Sequence, residues 1–191
     1  MTHDVVVTLA ALGVVGQVAV AVLAVLVLFR LLGMPAPLAW LRSTIWGYEL
    51  WLAFLVSAVA TAGSLYFSER AHFFPCELCW FQRIFMYPLA LTTLFAAVAN
   101  DHRVARYLLP LPLAGAAFSF YHLLVENRVF EQAQGCRLSA PGGCTTKWID
   151  EFGYVTIPTL ALTVFALVFA FLLLAAVDAG DEPEPDRAGR R

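Results

Sequence analysis

The chain has 191 residues, of which 61% are hydrophobic and 14% are charged, and its formal net charge is −2. Because a soluble domain is about half apolar and about a quarter charged, this composition predicts a membrane protein. The negative net charge argues against a nucleic-acid partner, and four cysteines are too few for a small fold held together by disulfides.

Five apolar runs are long enough to cross a bilayer, since a helix needs about 20 mostly apolar residues to span roughly 30 Å of hydrocarbon. The runs are continuous rather than alternating, which favours helices over strands. They are Val5–Phe29, Leu50–Phe67, Trp80–Ala99, Tyr107–Val125 and Val155–Val177. The sequence therefore predicts an all-α membrane protein.

The first run is predicted to be a retained anchor rather than a cleaved signal peptide. Residues 1–4 contain no Lys or Arg, and the run is longer than the roughly 7–15 residues of a signal-peptide core. After it, Leu31–Gly47 is predicted to be a short loop. Pro35 and Pro37 should interrupt any helix that would join the first two spans.

Cys76 and Cys79 form a C-x-x-C pair at the start of the third span, directly after Pro75. A helix that begins here would place Cys76 at its N-terminus, where unpaired N–H groups and the helix dipole stabilise a thiolate, the nucleophilic form of cysteine. Arg83 follows Cys79 by four residues and shares its helix face. It could bring positive charge to the Cys79 sulfur or to a reducible ring beside it, or it could be a snorkelling interfacial anchor.

The fourth span has His122 as its most polar member, four residues before Glu126. These two side chains could form a hydrogen bond, line a pocket or simply be a polar pair at a helix end. Pro88, Pro110 and Pro112 lie within the predicted spans and indicate kinks.

Cys136 and Cys144 lie in a turn-rich segment between the last two spans, with Gly142 and Gly143 just before the second cysteine. These glycines allow the chain reversal that brings two cysteines within disulfide distance. We expect an exposed, flexible loop whose disulfide can be attacked by a thiolate. The alternative is a disulfide that only stabilises the loop and takes no part in a reaction. The aromatic segment Thr145–Tyr154 that follows is predicted to rest on the membrane interface.

The charges indicate an orientation in which the N-terminus is outside and the C-terminus is inside. Seven of the 12 Lys and Arg residues then face the cytoplasm and five face outward, as the positive-inside rule favours. Both cysteine pairs fall on the extracytoplasmic side, where disulfides persist. The tail Asp178–Arg191 is polar and mixed in charge and is predicted to be disordered in the cytoplasm.

The segment Cys76–Arg83, which reads C-E-L-C-W-F-Q-R, together with the second cysteine pair, resembles the DsbB/BdbC family of thiol oxidoreductases. These quinone-dependent membrane proteins reoxidise a thioredoxin-like disulfide donor. The close spacing of Cys136 and Cys144, and the W-I-D-E-F-G-Y-V-T-I-P-T-L-A-L-T segment after them, resemble the BdbC branch. The resemblance covers roughly Leu50–Val177.

The resemblance implies a four-helix transmembrane bundle, to which this chain adds one N-terminal transmembrane helix. Residues 1–47 would be the anchor and a short cytoplasmic loop, residues 48–177 the thiol oxidase core, and residues 178–191 the tail. The location implied is the bacterial cytoplasmic membrane. The family core has four spans and both termini in the cytoplasm, so the first span is a departure from it.

The resemblance also implies roles for the site residues. Cys79 would engage the quinone, either ubiquinone or menaquinone, with Cys76 as its disulfide partner. Arg83 would support quinone binding, and Cys136 and Cys144 would form the disulfide that the donor attacks. No metal is implied.

Other kinds of protein compete with this interpretation. A vitamin-K-epoxide-reductase-like protein would carry electrons the opposite way, but in that group the C-x-x-C comes late in the bundle. A zinc site or structural disulfide in a membrane scaffold is another alternative, although the spacing of Cys136 and Cys144 is wider than the short 2–4-residue spacings typical of zinc. Covalent haem attachment would need His where Trp80 stands, and a transporter would be expected to carry more ionisable groups in its spans.

Overall fold

The computed structural model describes residues 2–34 and 36–181. Within these residues the chain forms eight α-helices, two 3₁₀ turns and one isolated β-bridge, between Glu151 and Val155. The helices are α1 (Thr2–Leu31), α2 (Ala36–Ile45), α3 (Glu49–Glu69), α4 (Glu77–Ala99), α5 (Ala105–Leu108), α6 (Pro110–Glu126), α7 (Gln134–Ser139) and α8 (Ile157–Asp181).

Five helical segments of the described residues are long and apolar enough to span a membrane. They are His3–Leu31, Glu49–Glu69, Glu77–Ala99, His102–Glu126 and Ile157–Val177. The predicted all-α membrane fold with five spans is therefore confirmed. In the fourth segment the helix is interrupted, because a 3₁₀ turn at His102–Val104 and the short α5 precede Pro110, which begins α6.

The core lies between α3, α4, α6 and α8. Phe165 of α8 is fully buried at its centre, together with Leu50 of α3 and Leu89 of α4. A Cβ atom added to Gly115 of α6 would collide with the Phe165 ring. This contact requires glycine, so α6 lies close enough to α8 for the aromatic ring to pack directly on the helix backbone.

The first helix, α1, packs on the outside of this bundle against α8 and α3. Gly13 and Gly16 lie against Leu160 and Thr163 of α8, and Leu9 lies against Gly63 of α3. Most of the other α1 side chains are exposed, as expected for a helix whose outer face meets lipid.

The prediction of a loop at Leu31–Gly47 was wrong for most of its length, because α2 (Ala36–Ile45) occupies it. Pro37 lies in the first turn of α2, where its missing N–H costs no intrahelical hydrogen bond. Proline therefore helps to start this helix. The chain still breaks on both sides of it, where Gly33 and Gly47 adopt φ angles of 86° and 83° that favour glycine.

Two further segments differ from expectation. The helix α8 continues past Val177 to Asp181, so the first residues of the predicted disordered tail are helical, while residues 182–191 lie outside the described residues. The segment Thr145–Tyr154 is not wholly superficial, because Trp148 stacks on Phe73 with ring centroids 5.3 Å apart. Ile149 is also buried.

The contact between Gly115 and Phe165 can be tested by Gly115→Val. The added side chain would overpack the core, which typically costs about 1–3 kcal/mol, so the midpoint of thermal unfolding in detergent should fall by several degrees. Ala117→Val, at an exposed position on the same helix, is the matched control and should unfold like the wild type. An unchanged midpoint for Gly115→Val would show that α6 and α8 do not pack in this way.

Candidate functional site

The C-x-x-C pair occupies the first turn of α4, as the sequence predicted. Cys76 is the N-cap residue, with extended backbone (φ −75°, ψ 173°), and its sulfur accepts a hydrogen bond from the Cys79 N–H at 3.4 Å. The two sulfurs are 2.9 Å apart and are not bonded. Since a disulfide bond is about 2.05 Å long, a small movement of these side chains would allow the pair to be oxidised.

The surroundings of Cys76 favour its thiolate. The hydrogen bond from the Cys79 thiol is the largest effect, and it outweighs burial, which opposes ionisation. Hydrogen bonds from His122 and from the Cys79 N–H act in the same direction, so that the pKa of Cys76 is lowered to about 4. A thiol with this pKa is ionised at neutral pH and is therefore a ready nucleophile or leaving group.

His122 joins the two cysteine pairs. Its Nε2 atom lies 3.6 Å from the Cys76 sulfur and 3.2 Å from the Cys144 carbonyl oxygen, and its Nδ1 atom lies 3.3 Å from the Gln82 amide nitrogen. Because a carbonyl oxygen only accepts hydrogen bonds, these partners fit the tautomer in which Nε2 carries the proton and Gln82 donates to Nδ1. The ring is buried, at 3% exposure.

The sequence left open whether His122 and Glu126 bond to each other, line a pocket or are a polar pair at a helix end, and the structure gives them different hydrogen-bond partners. The Glu126 carboxylate accepts a hydrogen bond of 2.7 Å from the Thr156 hydroxyl. Both side chains do line a pocket, a small cavity of about 10 Å³ that also reaches Cys76 and Cys79. The bridging position of His122 was missed because it depends on residues far apart in the chain, and its place as the most polar residue of an apolar span was the available signal.

Cys136 and Cys144 form a disulfide, and the loop that carries it folds back over the start of α4. The Ser139 hydroxyl accepts a hydrogen bond from the Glu77 N–H at 3.0 Å, and the Gln132 side-chain oxygen accepts one from the Cys144 N–H at 3.1 Å. Both cysteines pack in one apolar cluster with Cys76, Leu78 and Val125. The second pair is thus held against the first.

This arrangement corrects the expectation that the loop disulfide would be exposed. Cys136 and Cys144 are each only 1% exposed, because α7 and the turn after it press the disulfide against α4 and α6. A thiolate from a partner protein could reach either sulfur only after the loop moved outward.

Arg83 is held by α3. Its Nε atom donates to the Ser64 hydroxyl at 3.0 Å and one Nη atom donates to the Ser64 carbonyl at 3.1 Å. The guanidinium also lies over the Trp80 ring, 5.2 Å from its centroid. These bonds use two of the five N–H donors of the guanidinium, which leaves others able to donate to a ligand.

Arg83 and Cys79 both line a second cavity, which has a volume of about 420 Å³. This volume lies in the range of small-molecule sites, roughly 300–1,000 Å³. Most of its lining is apolar and comes from α1, α3 and α8. Most of its polar side chains come from the end of α3 and the first half of α4, namely Ser64, Cys79, Gln82, Arg83 and Tyr87. Cys76 does not line this cavity and faces His122 instead.

These contacts change which residues could be the ligands of a zinc ion. A site with four cysteine ligands would need thiolates at Cys136 and Cys144, but the structure joins them in a disulfide. Among the described residues, Cys76, Cys79 and His122 form a group whose possible ligand atoms all lie within 4.8 Å of one another, close enough to hold a metal. A metal there would require the same reduced dithiol that a redox reaction would use.

Comparison with known proteins identifies the family. The sequence pattern of the family described as "Disulfide bond formation protein DsbB" matches residues 47–175. The chain belongs to the DsbB family. The predicted resemblance to DsbB/BdbC proteins is thereby confirmed, and the DsbB-family chain is a multi-pass membrane protein of disulfide bond formation.

Two curated relatives illustrate the similarity. A "Probable disulfide formation protein" of Deinococcus radiodurans is 45% identical over 131 residues, which cover 65% of this chain and 86% of the relative. The "Disulfide bond formation protein C" of Bacillus subtilis is 44% identical over 127 residues, covering 65% of this chain and 90% of the relative. No solved structure matches this DsbB-family chain.

The docking of the loop can be tested with Gln132→Ala, which removes the side chain that accepts the Cys144 N–H. Because one hydrogen bond contributes about 0.5–1.5 kcal/mol, the loop should open roughly 2- to 10-fold more often. A small water-soluble phosphine should then reduce the Cys136–Cys144 disulfide faster by a similar factor. The rate is measured by alkylating the new thiols and counting them by mass spectrometry. Glu131→Ala, at an exposed neighbouring position, should be reduced at the wild-type rate. Equal rates for all three proteins would contradict a loop held closed by Gln132.

Proposed function

We propose that the protein is a thiol:quinone oxidoreductase that reoxidises an extracytoplasmic thioredoxin-like disulfide donor and passes the electrons to a membrane quinone. One observation carries the proposal: the two cysteine pairs meet at His122, and Cys79 also lines a large apolar cavity beside Arg83. The two cysteine pairs thus lie between the loop outside the spans and the apolar cavity between the helices.

In the first step a thiolate of the reduced donor attacks the Cys136–Cys144 disulfide after the loop has moved outward. A mixed disulfide forms, and the second donor thiol displaces it. The donor leaves oxidised, and Cys136 and Cys144 are left as a dithiol. Two electrons have then entered the protein.

In the second step a thiolate of the loop attacks the Cys76–Cys79 disulfide, and the loop disulfide forms again as the first pair is reduced. The end point of this exchange is the arrangement that the structure holds, with Cys136 and Cys144 bonded and Cys76 and Cys79 free. His122 and the Cys79 N–H stabilise the Cys76 thiolate that the exchange produces.

The cavity residues fit a quinone, since polar donors are grouped near Cys79 and the remaining lining is apolar. A bound quinone would accept the two electrons and two protons released when the Cys76–Cys79 dithiol is oxidised. Arg83, fixed in place by Ser64, would donate to a carbonyl oxygen of the ring. Gln82 keeps the His122 ring oriented toward Cys76.

The proposed orientation has the N-terminus outside and the C-terminus in the cytoplasm of a bacterial cell. It is supported by the distribution of Lys and Arg residues and by the location of both cysteine pairs at one end of the bundle. The donor would then approach from the extracytoplasmic side.

The electron path is tested by counting thiols. The purified protein is reduced, freed of reductant and mixed anaerobically with quinone, and the remaining thiols are alkylated and counted. All four thiols of the wild type should be lost, with one quinol formed for each pair. Cys79→Ser should lose none to quinone. A double variant, Cys136→Ser with Cys144→Ser, should still lose its two thiols to quinone but should no longer oxidise a thioredoxin-like donor.

The proposal would be contradicted if the folded wild-type protein retained all four thiols in the presence of excess quinone. A double variant that oxidises the donor as fast as the wild type would instead remove the loop disulfide from the path.

The lowered pKa of Cys76 gives a second test, in the reduced Cys136→Ser, Cys144→Ser background. As the pH falls, the ultraviolet absorbance of the Cys76 thiolate should persist and should disappear only near pH 4. The thiolate absorbance of an ordinary cysteine disappears at about pH 8.5. Adding His122→Ala removes a hydrogen bond to the thiolate and should move the transition to higher pH. A transition that His122→Ala leaves in place would show that the imidazole does not stabilise this thiolate.

A further inference from the structure

The helix α1 lies outside the part of the chain that matches the DsbB family, which begins at residue 47. It nevertheless forms one wall of the 420 Å³ cavity that reaches Cys79 and Arg83. Its contribution comes from a single face, made of Leu9, Leu12, Gly13, Val15, Gly16 and Ala19. The first helix therefore does more than add a span, because it helps to enclose the compartment beside the reactive dithiol.

Close contacts fix this wall in place. A Cβ atom on Gly16 would lie 3.0 Å from Thr163 and 3.2 Å from Leu167 of α8, and one on Gly63 of α3 would lie 3.2 Å from Leu9. The Tyr154 hydroxyl, just before α8, donates a 3.0 Å hydrogen bond to the Gln17 side chain. The α1 helix thus bridges α3 and α8 and covers the space between them.

The cavity is long and polar mainly at one end. On α8 its lining runs from Ile157 to Phe171, and on α3 from Leu52 to Phe67. At 1.5 Å per helical residue, each wall extends for roughly 20 Å along the bundle. Cys79 and Arg83 lie toward the end marked by Ile157 and Phe67, so a polar ring placed beside them would have a long apolar slot next to it.

We infer that α1 is the outer wall of a channel for the isoprenoid tail of the quinone, and that it makes the protein selective for long-tailed quinones. The ring would lie at Cys79 and Arg83, and the tail would run between α1, α3 and α8 past Ala19. This inference rests on the proposed function. A tail held in this slot buries apolar surface that a ring without a tail does not bury, so that tail binding is separable from ring binding.

The test uses Ala19→Phe, which narrows the slot, and Ala11→Phe, at an exposed position on the same helix outside the cavity lining. Deletion of α1 is unsuitable because removing one span would disturb the orientation of the others. Binding is measured by quenching of tryptophan fluorescence, since Trp148 lines the cavity, with a quinone that has a long isoprenoid tail and with the same ring lacking a tail. Quinone that co-purifies with each variant is extracted and quantified.

We expect Ala19→Phe to bind the long-tailed quinone about tenfold more weakly and to lose most of its co-purified quinone. Its affinity for the tail-less ring should stay within about twofold of the wild type, which also shows that the variant is folded. Ala11→Phe should match the wild type in every measurement. If Ala19→Phe does not fold, Ala19→Leu narrows the slot less and should give a smaller loss of the same kind.

Several outcomes would overturn the inference. Wild-type binding that is equally tight with and without the tail would place the tail outside the cavity. Wild-type affinity of Ala19→Phe for the long-tailed quinone, or equal losses in both variants, would make α1 only an anchor while leaving the proposed function intact. A wild-type protein that binds neither quinone would show that the cavity is not a quinone channel, and the proposed function would fail together with this inference.

Discussion

The first turn of α4 is the constraint on which the rest of the site depends. A buried thiolate is costly unless hydrogen bonds offset the loss of water, and Cys76 receives such bonds from the Cys79 N–H, the Cys79 thiol and His122. These groups must be held rigidly to act together. The disulfide loop supplies part of that rigidity, because Ser139 accepts the N–H of Glu77 in the same turn.

The buried imidazole of His122 contacts both cysteine pairs. His122 faces two acceptors with one N–H group, the Cys76 sulfur and the Cys144 carbonyl oxygen, while Gln82 fixes the opposite side of the ring. In a region of low dielectric such shared hydrogen bonds are strong when satisfied and costly when broken. The position of the loop and the charge state of the first pair are therefore linked through a single side chain.

Much of the fold followed from the sequence, because lipid leaves few solutions for an apolar run that long. The five spans and the helix start at Cys76 came from continuous hydrophobicity and from Pro75. The packing of the loop disulfide could not be predicted in this way. Gly142 and Gly143 indicated a chain reversal, but they did not indicate that Cys136 and Cys144 would pack against Leu78 and Val125. Similarly, the approach of His122 to Cys76 joins residues 46 positions apart, a distance over which helix periodicity carries no information.

The spacing of the C-x-x-C pair gives its two sulfurs different neighbours while keeping them in contact. Residues three apart in a helix lie on adjacent parts of its surface, so Cys76 can face His122 and the loop while Cys79 faces the apolar cavity, with 2.9 Å between the sulfurs. A single thiol could not touch both compartments, and a wider spacing would separate the sulfurs. In the proposed function, exchange with a water-borne thiol and contact with a lipid-soluble acceptor would thus meet within one helical turn, and α1 borders only the cavity on the Cys79 side.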